Sequence, residues 1–132
     1  MTQAFIEHVN LNVSDPQRTA SIVSSLFGWH IRWQGVAMDG RQTIHVGDDR
    51  FYLALHDNGT GPKQAHYTKG VPFNHVGLCV DDLDAVEASA RALGLTPFGH
   101  DDYEPGRRFY FFDPDGIEFE IVSYARTKGE TS

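Results

Sequence analysis

The chain has little sulfur and little positive charge. Among its 132 residues Cys79 is the only cysteine, so an intrachain disulfide is excluded. A chain of this size can build a hydrophobic core without such a staple. Eleven Lys and Arg stand against 18 Asp and Glu, for a formal net charge of -7 at pH 7. Phosphate surfaces are drawn by clustered cations, and only Arg107-Arg108 and the pair Arg126 and Lys128 approach a cluster. Neither nucleic acid nor an anionic membrane is expected as a partner. No apolar run nears the ~18 residues that a membrane-spanning helix needs. Met1-Thr2-Gln3-Ala4 lacks the basic and apolar regions of a secretory signal, and a reducing cytoplasm is the expected compartment. What the chain does have is 40% hydrophobic and 12% aromatic residues, too many for disorder and enough for a packed core.

The chain repeats itself once. Glu7-His8-Val9-Asn10-Leu11-Asn12-Val13-Ser14-Asp15 and Asn74-His75-Val76-Gly77-Leu78-Cys79-Val80-Asp81-Asp82 both read x-His-Val-x-Leu-x-Val-x-Asp. In each copy the apolar residues alternate, which predicts a strand with Val9, Leu11 and Val13, or Val76, Leu78 and Val80, toward a core. The opposite faces carry His8, Asn10 and Asn12, or His75, Gly77 and Cys79. Asp15 before Pro16, and Asp81 or Asp82 before Leu83, are suited to cap helices whose apolar stripes are Ala20, Val23, Leu26 and Phe27, then Leu83, Val86, Ala90 and Leu93. Gly28 and Gly94 end them.

Three strand-like runs follow the first helix: Trp29 to Val36, Arg41 to Val46 and Arg50 to His56. After the second come a weaker run at Thr96 to Phe98, then Arg107 to Phe112 and Ile117 to Tyr124, with Gly99 to Gly106 read as an acidic loop. The fold class is therefore α+β, two βαβββ modules forming a curved mixed sheet around a lined cavity, with the helices outside. One domain is expected over residues 1–125, with module one at about 4–57, a linker at about 58–71 and module two at about 72–125. Residues 126–132 read as a flexible tail.

His8 and His75 hold the same repeat position on the faces turned from the core, and Glu118 and Glu120 alternate with Ile117, Phe119 and Ile121 so that they too face away from it. A carboxylate aimed into an enclosed space needs a partner. Two neutral imidazoles and one carboxylate, His8, His75 and Glu120, make a facial set for a divalent metal that leaves up to three positions open on an octahedral ion. The plainer reading pairs Glu118 and Glu120 with Arg107 or Arg108.

On these openings, on Leu26-Phe27-Gly28 and Leu93-Gly94-Leu95, and on Phe109-Tyr110-Phe111-Phe112-Asp113-Pro114-Asp115-Gly116-Ile117-Glu118-Phe119-Glu120, the chain resembles the glyoxalase, bleomycin-resistance and extradiol dioxygenase superfamily, the vicinal oxygen chelate proteins. The resemblance covers almost the whole chain. It implies metal ligands on the first and last strands, here His8, His75 and Glu120, with Fe(II) favoured and Mn(II), Ni(II) or Zn(II) as alternatives. The fourth family position falls on Ala54, which can neither ligate nor carry a proton; His56, two residues on, could partly substitute.

A three-ligand site of this kind implies chelation of an oxygen-bearing small molecule, with dioxygenase-like chemistry first. His100 is the candidate acid or base, Tyr110 the candidate hydrogen-bond donor, and Asn10, His56, Arg107 and Arg108 the candidate substrate contacts. The alternatives are a fosfomycin-resistance-type thiol transferase, a glyoxalase-like lyase, and a metal-free drug-binding protein of the bleomycin-resistance type in which Trp29, Trp33, Tyr52 and Phe73 stack on a flat ligand. His30 and His45 read as strand residues and His66 as a linker residue. A homodimer is expected, since small two-module relatives commonly complete their cavities between chains.

Overall fold

In the computed structural model of the chain, residues 4–59, 70, 72–103 and 106–124 are described. Most of the expected linker, His66 within it, and the tail lie outside them. The chain divides into two compact units, Met1–Ala65 and His66–Ser132.

Unit 1 runs β1 (His8–Val13), α1 (Pro16–Phe27), β2 (His30–Val36), β3 (Gln42–Gly47) and β4 (Tyr52–Asp57). Unit 2 runs β5 (Val76–Cys79), α2 (Leu83–Ala92), β6 (Phe98–Tyr103), β7 (Gly106–Phe112) and β8 (Glu118–Ser123). The sheet orders are β1-β4-β3-β2 and β5-β8-β7-β6, so the expected mixed βαβββ sheet is present twice, once in each unit, and each copy is open at two edges. The first strand lies parallel to the last, and the other neighbours are antiparallel.

Both helices begin on the expected aspartates. Asp15 accepts a hydrogen bond from the Arg18 amide at 3.2 Å and Asp82 from the Ala85 amide at 3.0 Å, each satisfying one amide that the helix leaves unpaired. At the end of α2, Gly94 takes φ 86°, its amide bonds the Arg91 carbonyl and the Leu95 amide bonds the Ala90 carbonyl. That double closure needs a left-handed residue, which glycine supplies without steric cost.

In unit 1, α1 packs on β3, β4 and β2, and Val23, Ile44, Val46, Leu53 and Leu55 are buried between them. In unit 2, α2 packs on β7 and β8 over Phe109, Phe111, Phe119 and Ile121. Each such side chain contributes roughly 1.5–3 kcal/mol on burial, so these layers hold the units together. Among the described residues no helix is long and apolar enough to cross a membrane.

One element differs from its expectation. The acidic stretch after Phe98 is a strand through Tyr103, with Asp101 opposite Arg108 and Asp102 opposite Arg107. Acidic residues read as loop-forming in isolation, but opposite charges facing one another across antiparallel strands stabilise the pairing. The arginine pair and the acidic run are therefore two sides of one ladder.

Candidate functional site

In unit 2 the face turned away from α2 carries Glu120 and Arg108. The register pairs Gly77 with Glu120 and Glu120 with Tyr110. His75, just before β5, reaches this row: its Nε2 lies 2.9 Å from Glu120 Oε1. The other Glu120 oxygen accepts a hydrogen bond from Arg108 Nη1 at 2.8 Å. The side chains of Glu120 and Arg108 retain only 13% and 16% of their exposure, so the pair is well shielded from water. Tyr110 meets the His75 ring edge-on, with centroids 6.1 Å apart, and stacks on Phe98 at 5.8 Å.

The imidazole tautomer decides what this contact can hold. His75 Nδ1 lies 2.8 Å from Asn74 Oδ1, and donor and acceptor roles at its two nitrogens follow from the tautomer. With the proton on Nδ1, the Nε2 lone pair and the Glu120 oxygen 2.9 Å away suit adjacent positions on one divalent ion; with the proton on Nε2, the same contact is a hydrogen bond from the ring to Glu120. Histidine ligands commonly donate their other N–H to an oxygen in this way. The residues thus fit a divalent metal. His8 repeats the arrangement in unit 1, with its Nδ1 2.8 Å from Glu7 Oε1. Neither Glu7 nor Asn74 stood out in the sequence, although each directly precedes its histidine in the repeat.

Unit 1 has the same scaffold with different side chains. Asn10 pairs with Ala54, Ala54 with His45, and His45 with Trp33. Ala54 therefore stands in unit 1 where Glu120 stands in unit 2, and His45 stands where Tyr110 stands. Tyr52, on the strand between β1 and β3, stacks on His8 at 4.8 Å and on His45 at 4.5 Å. Trp33 packs on His45 at 5.0 Å, completing the aromatic run Trp33, His45, Tyr52, His8. Burial, then the neighbouring charges of His8 and Arg32, hold the His45 pKa below the usual histidine value, which keeps this ring neutral near pH 7. The sequence offered a signal for His45 only through the register that makes it the counterpart of Tyr110.

His56 shares the Asn12 row on the same face, but both of its nitrogens are engaged. Nδ1 lies 3.0 Å from the Thr43 hydroxyl and Nε2 2.8 Å from Asp39 Oδ2. In this arrangement it pins the β2–β3 turn and has no nitrogen left for a metal or a substrate.

Two further candidates point elsewhere. Arg107 donates to Asp84 at the start of α2 at 2.9 Å, and that hydrogen bond raises its pKa. His100 Nε2 lies 2.7 Å from Glu87 Oε2 on α2, and its ring stacks on the core residue Phe109 at 5.9 Å. Both lie on the helix side of their sheet, away from the Glu120 row. The cause for His100 is an irregularity between Phe98 and Asp101, which shifts the alternation along β6. Of the nine candidates, His75, Glu120, Arg108 and Tyr110 meet in unit 2, and His8, Asn10 and His56 share the open face of unit 1. Among the described residues no group of three His, Cys, Asp or Glu side chains stands ready to hold a metal ion.

Comparison with known proteins follows the fold. The structure of a glyoxylase/bleomycin resistance protein/dioxygenase domain from Frankia sp. EAN1pec is similar with a TM-score of 0.80 at 19% identity, covering 95% of this chain and 100% of that one. FosX, a fosfomycin resistance protein from Listeria monocytogenes solved with Mn(II) and sulfate, is similar with a TM-score of 0.70 at 17% identity, covering 98% of each chain. TnmS3, an antibiotic binding protein from Streptomyces sp. CB03234, has a TM-score of 0.71 at 20% identity over 93% of this chain and 98% of that one. No curated protein matches the sequence. The sequence profile of the Glyoxalase/Bleomycin resistance protein/Dioxygenase superfamily matches residues 5–121, and the chain belongs to that superfamily.

Proposed function

We propose that the chain is a divalent-metal-dependent enzyme in which His8, His75 and Glu120 hold the ion and an oxygen-bearing small molecule chelates it. The observation that carries this reading is the 2.9 Å approach of His75 Nε2 to Glu120 Oε1. Bound there, Fe(II) or Mn(II) would supply Lewis acidity and open positions for substrate oxygens. The Mn(II) in the FosX structure supports a divalent metal on this fold.

The protein's own groups divide the remaining work. Arg108 holds Glu120 Oε2, so only Oε1 is presented as a ligand and the carboxylate keeps its aim. In our reading Asn74 and Glu7 accept the Nδ1 protons of the two histidines and leave each Nε2 for the ion. Ala54 offers no fourth ligand, which supports a site with room for a bidentate substrate. In our reading the Tyr110 hydroxyl donates a hydrogen bond to a substrate oxygen, a role supported by the contact of its ring with His75. His100 and Arg107 serve the β6–β7–α2 layer, and in our reading they take no part in the chemistry.

Dioxygenase-like chemistry on a catechol-like or hydroxy-carbonyl substrate is the first reaction class. A fosfomycin-resistance-type thiol transfer to an epoxide is the second, supported by the engagement of His100 with Glu87. Elemental analysis of anaerobically purified protein should find about one divalent ion per site. Oxygen uptake with catechols, run beside nucleophile addition to epoxides, separates the two classes. Absence of metal, together with ligand binding unchanged in a His8→Ala, Glu120→Ala variant, would sink the proposal.

A further inference from the structure

The ladder of unit 1 contains an additional residue at one point. Ile31 pairs with Val46 and Trp33 with His45, so Arg32 has no partner of its own in β3. Such a bulge breaks the alternation and lets neighbouring side chains share a face. Ile31 stays opposite the core residue Val46, while both Arg32 and Trp33 turn to the face away from α1. The Arg32 Cζ lies 4.5 Å from the Tyr52 ring centroid, and Trp33 packs on His45.

The indole of Trp33 approaches the backbone closely at residue 35, which is glycine. A methyl group there would lie 2.6 Å from Trp33 Cζ2 and 2.8 Å from Cη2, too close for any real contact. Trp33 keeps 49% of its exposure. Beside it stands Arg32, one nitrogen of which donates to the Asp48 carbonyl at 3.0 Å, leaving other N–H groups of the guanidinium fork. The Asp48 carboxylate is turned to its own loop, where it accepts from the Arg50 and Phe51 amides. The aromatic run ends on His8.

We infer that this face holds a small planar aromatic acid, its ring stacked on the exposed Trp33 indole and its anionic group on Arg32. The inference deepens the proposed function and rests on it for the chelating end of the molecule. A flat ring matches the flat indole, and aromatic contact of this kind exceeds simple area burial. A carboxylate matches the guanidinium fork in shape and charge.

Calorimetric titration of metal-free protein in EDTA tests it with three probes: 2-naphthoate, its neutral isostere 2-naphthamide, and the non-planar cyclohexanecarboxylate. The expected order is 2-naphthoate tighter than cyclohexanecarboxylate by about tenfold or more. Trp33→Leu and Gly35→Ala should each lower 2-naphthoate affinity about tenfold, while Trp33→Phe retains most of it and so reports a correctly folded face. Arg32→Gln should bring 2-naphthoate down to the level of 2-naphthamide and leave 2-naphthamide unchanged. Equal binding of the two acids, no binding of 2-naphthoate, or Trp33→Leu and Gly35→Ala both within about twofold of native would overturn the inference. Since no metal is present, these results stand apart from the chelate. Mn(II) binding by the native protein, titrated separately, reports on that.

Discussion

The two units share one scaffold and have divided its polar positions between them. At the centre of the face turned from the helix, unit 2 sets Glu120, flanked by Arg108 and touched by His75. At the same register unit 1 sets Ala54, flanked by His45 and followed by His56. The position that is Arg108 in unit 2 is Thr43 in unit 1, and the position that is Tyr110 is His45. Duplication thus preserved the strands and the histidine that opens each copy. What diverged is one half that carries charge and one half that carries aromatic surface. A buried charge needs built partners, whereas stacked rings need only area and flatness.

The largest effect should come from removing the charged half. Glu120→Ala should weaken Mn(II) binding by more than ~100-fold in calorimetry while the circular dichroism spectrum is retained, because the ligand itself is lost. Retained binding would mean that the difference between the units has nothing to do with metal. Making unit 1 resemble unit 2 is the complementary change. Ala54→Glu puts a carboxylate at a position with 2% exposure, so the variant should melt several degrees lower. An unchanged melting point would show that unit 1 accommodates the charge that unit 2 carries at this register. Arg108→Gln should cost about tenfold in Mn(II) affinity, with partial rescue by Arg108→Lys. If both variants bind as native protein does, Arg108 does not orient Glu120.

Smaller effects belong to residues that hold structure. His56→Ala should lower stability by about 1–2 kcal/mol through loss of the Thr43 and Asp39 contacts, with Mn(II) affinity unchanged. A drop in Mn(II) affinity would return His56 to the ligand set. Burial tends to raise the Glu87 pKa, but hydrogen bonds from His100 and Arg91 outweigh it and the net shift is downward. A depressed carboxylate stabilises the fold above its unfolded-state value and loses that contribution as pH falls through its folded value. Glu87→Gln should therefore be less stable than native protein at pH 7 by about 1 kcal/mol or less, and denaturant melts should converge in the acid range. A gap independent of pH would assign the difference to packing.

Much of this organisation is legible in local pattern. Period-two alternation and the repeated opening motif give the strands, the aspartate caps give the helix starts, and overlaying the copies puts Ala54 against Glu120. Legibility ends where the alternation is broken. The irregularities at Ile31/Trp33 and Phe98/Asp101 decide which face Arg32 and His100 occupy, and composition carries no mark of either. Partner choice is equally hidden: nothing local says that Arg107 turns to Asp84 while Arg108 turns to Glu120. The acidic strand β6 escapes for the same reason, since its partner is the neighbouring strand β7, distant from the acidic run's own local pattern.

The central claim is that the contact between His75 and Glu120 belongs to a metal site completed by His8. Mn(II) titration followed by electron paramagnetic resonance, on native protein beside His8→Ala, His75→Ala and Glu120→Ala, tests it most directly. The native protein should bind about one Mn(II) per site, with each single variant weaker by at least about tenfold. Native protein that leaves Mn(II) free in solution, or three variants that bind it as the native protein does, would contradict the claim.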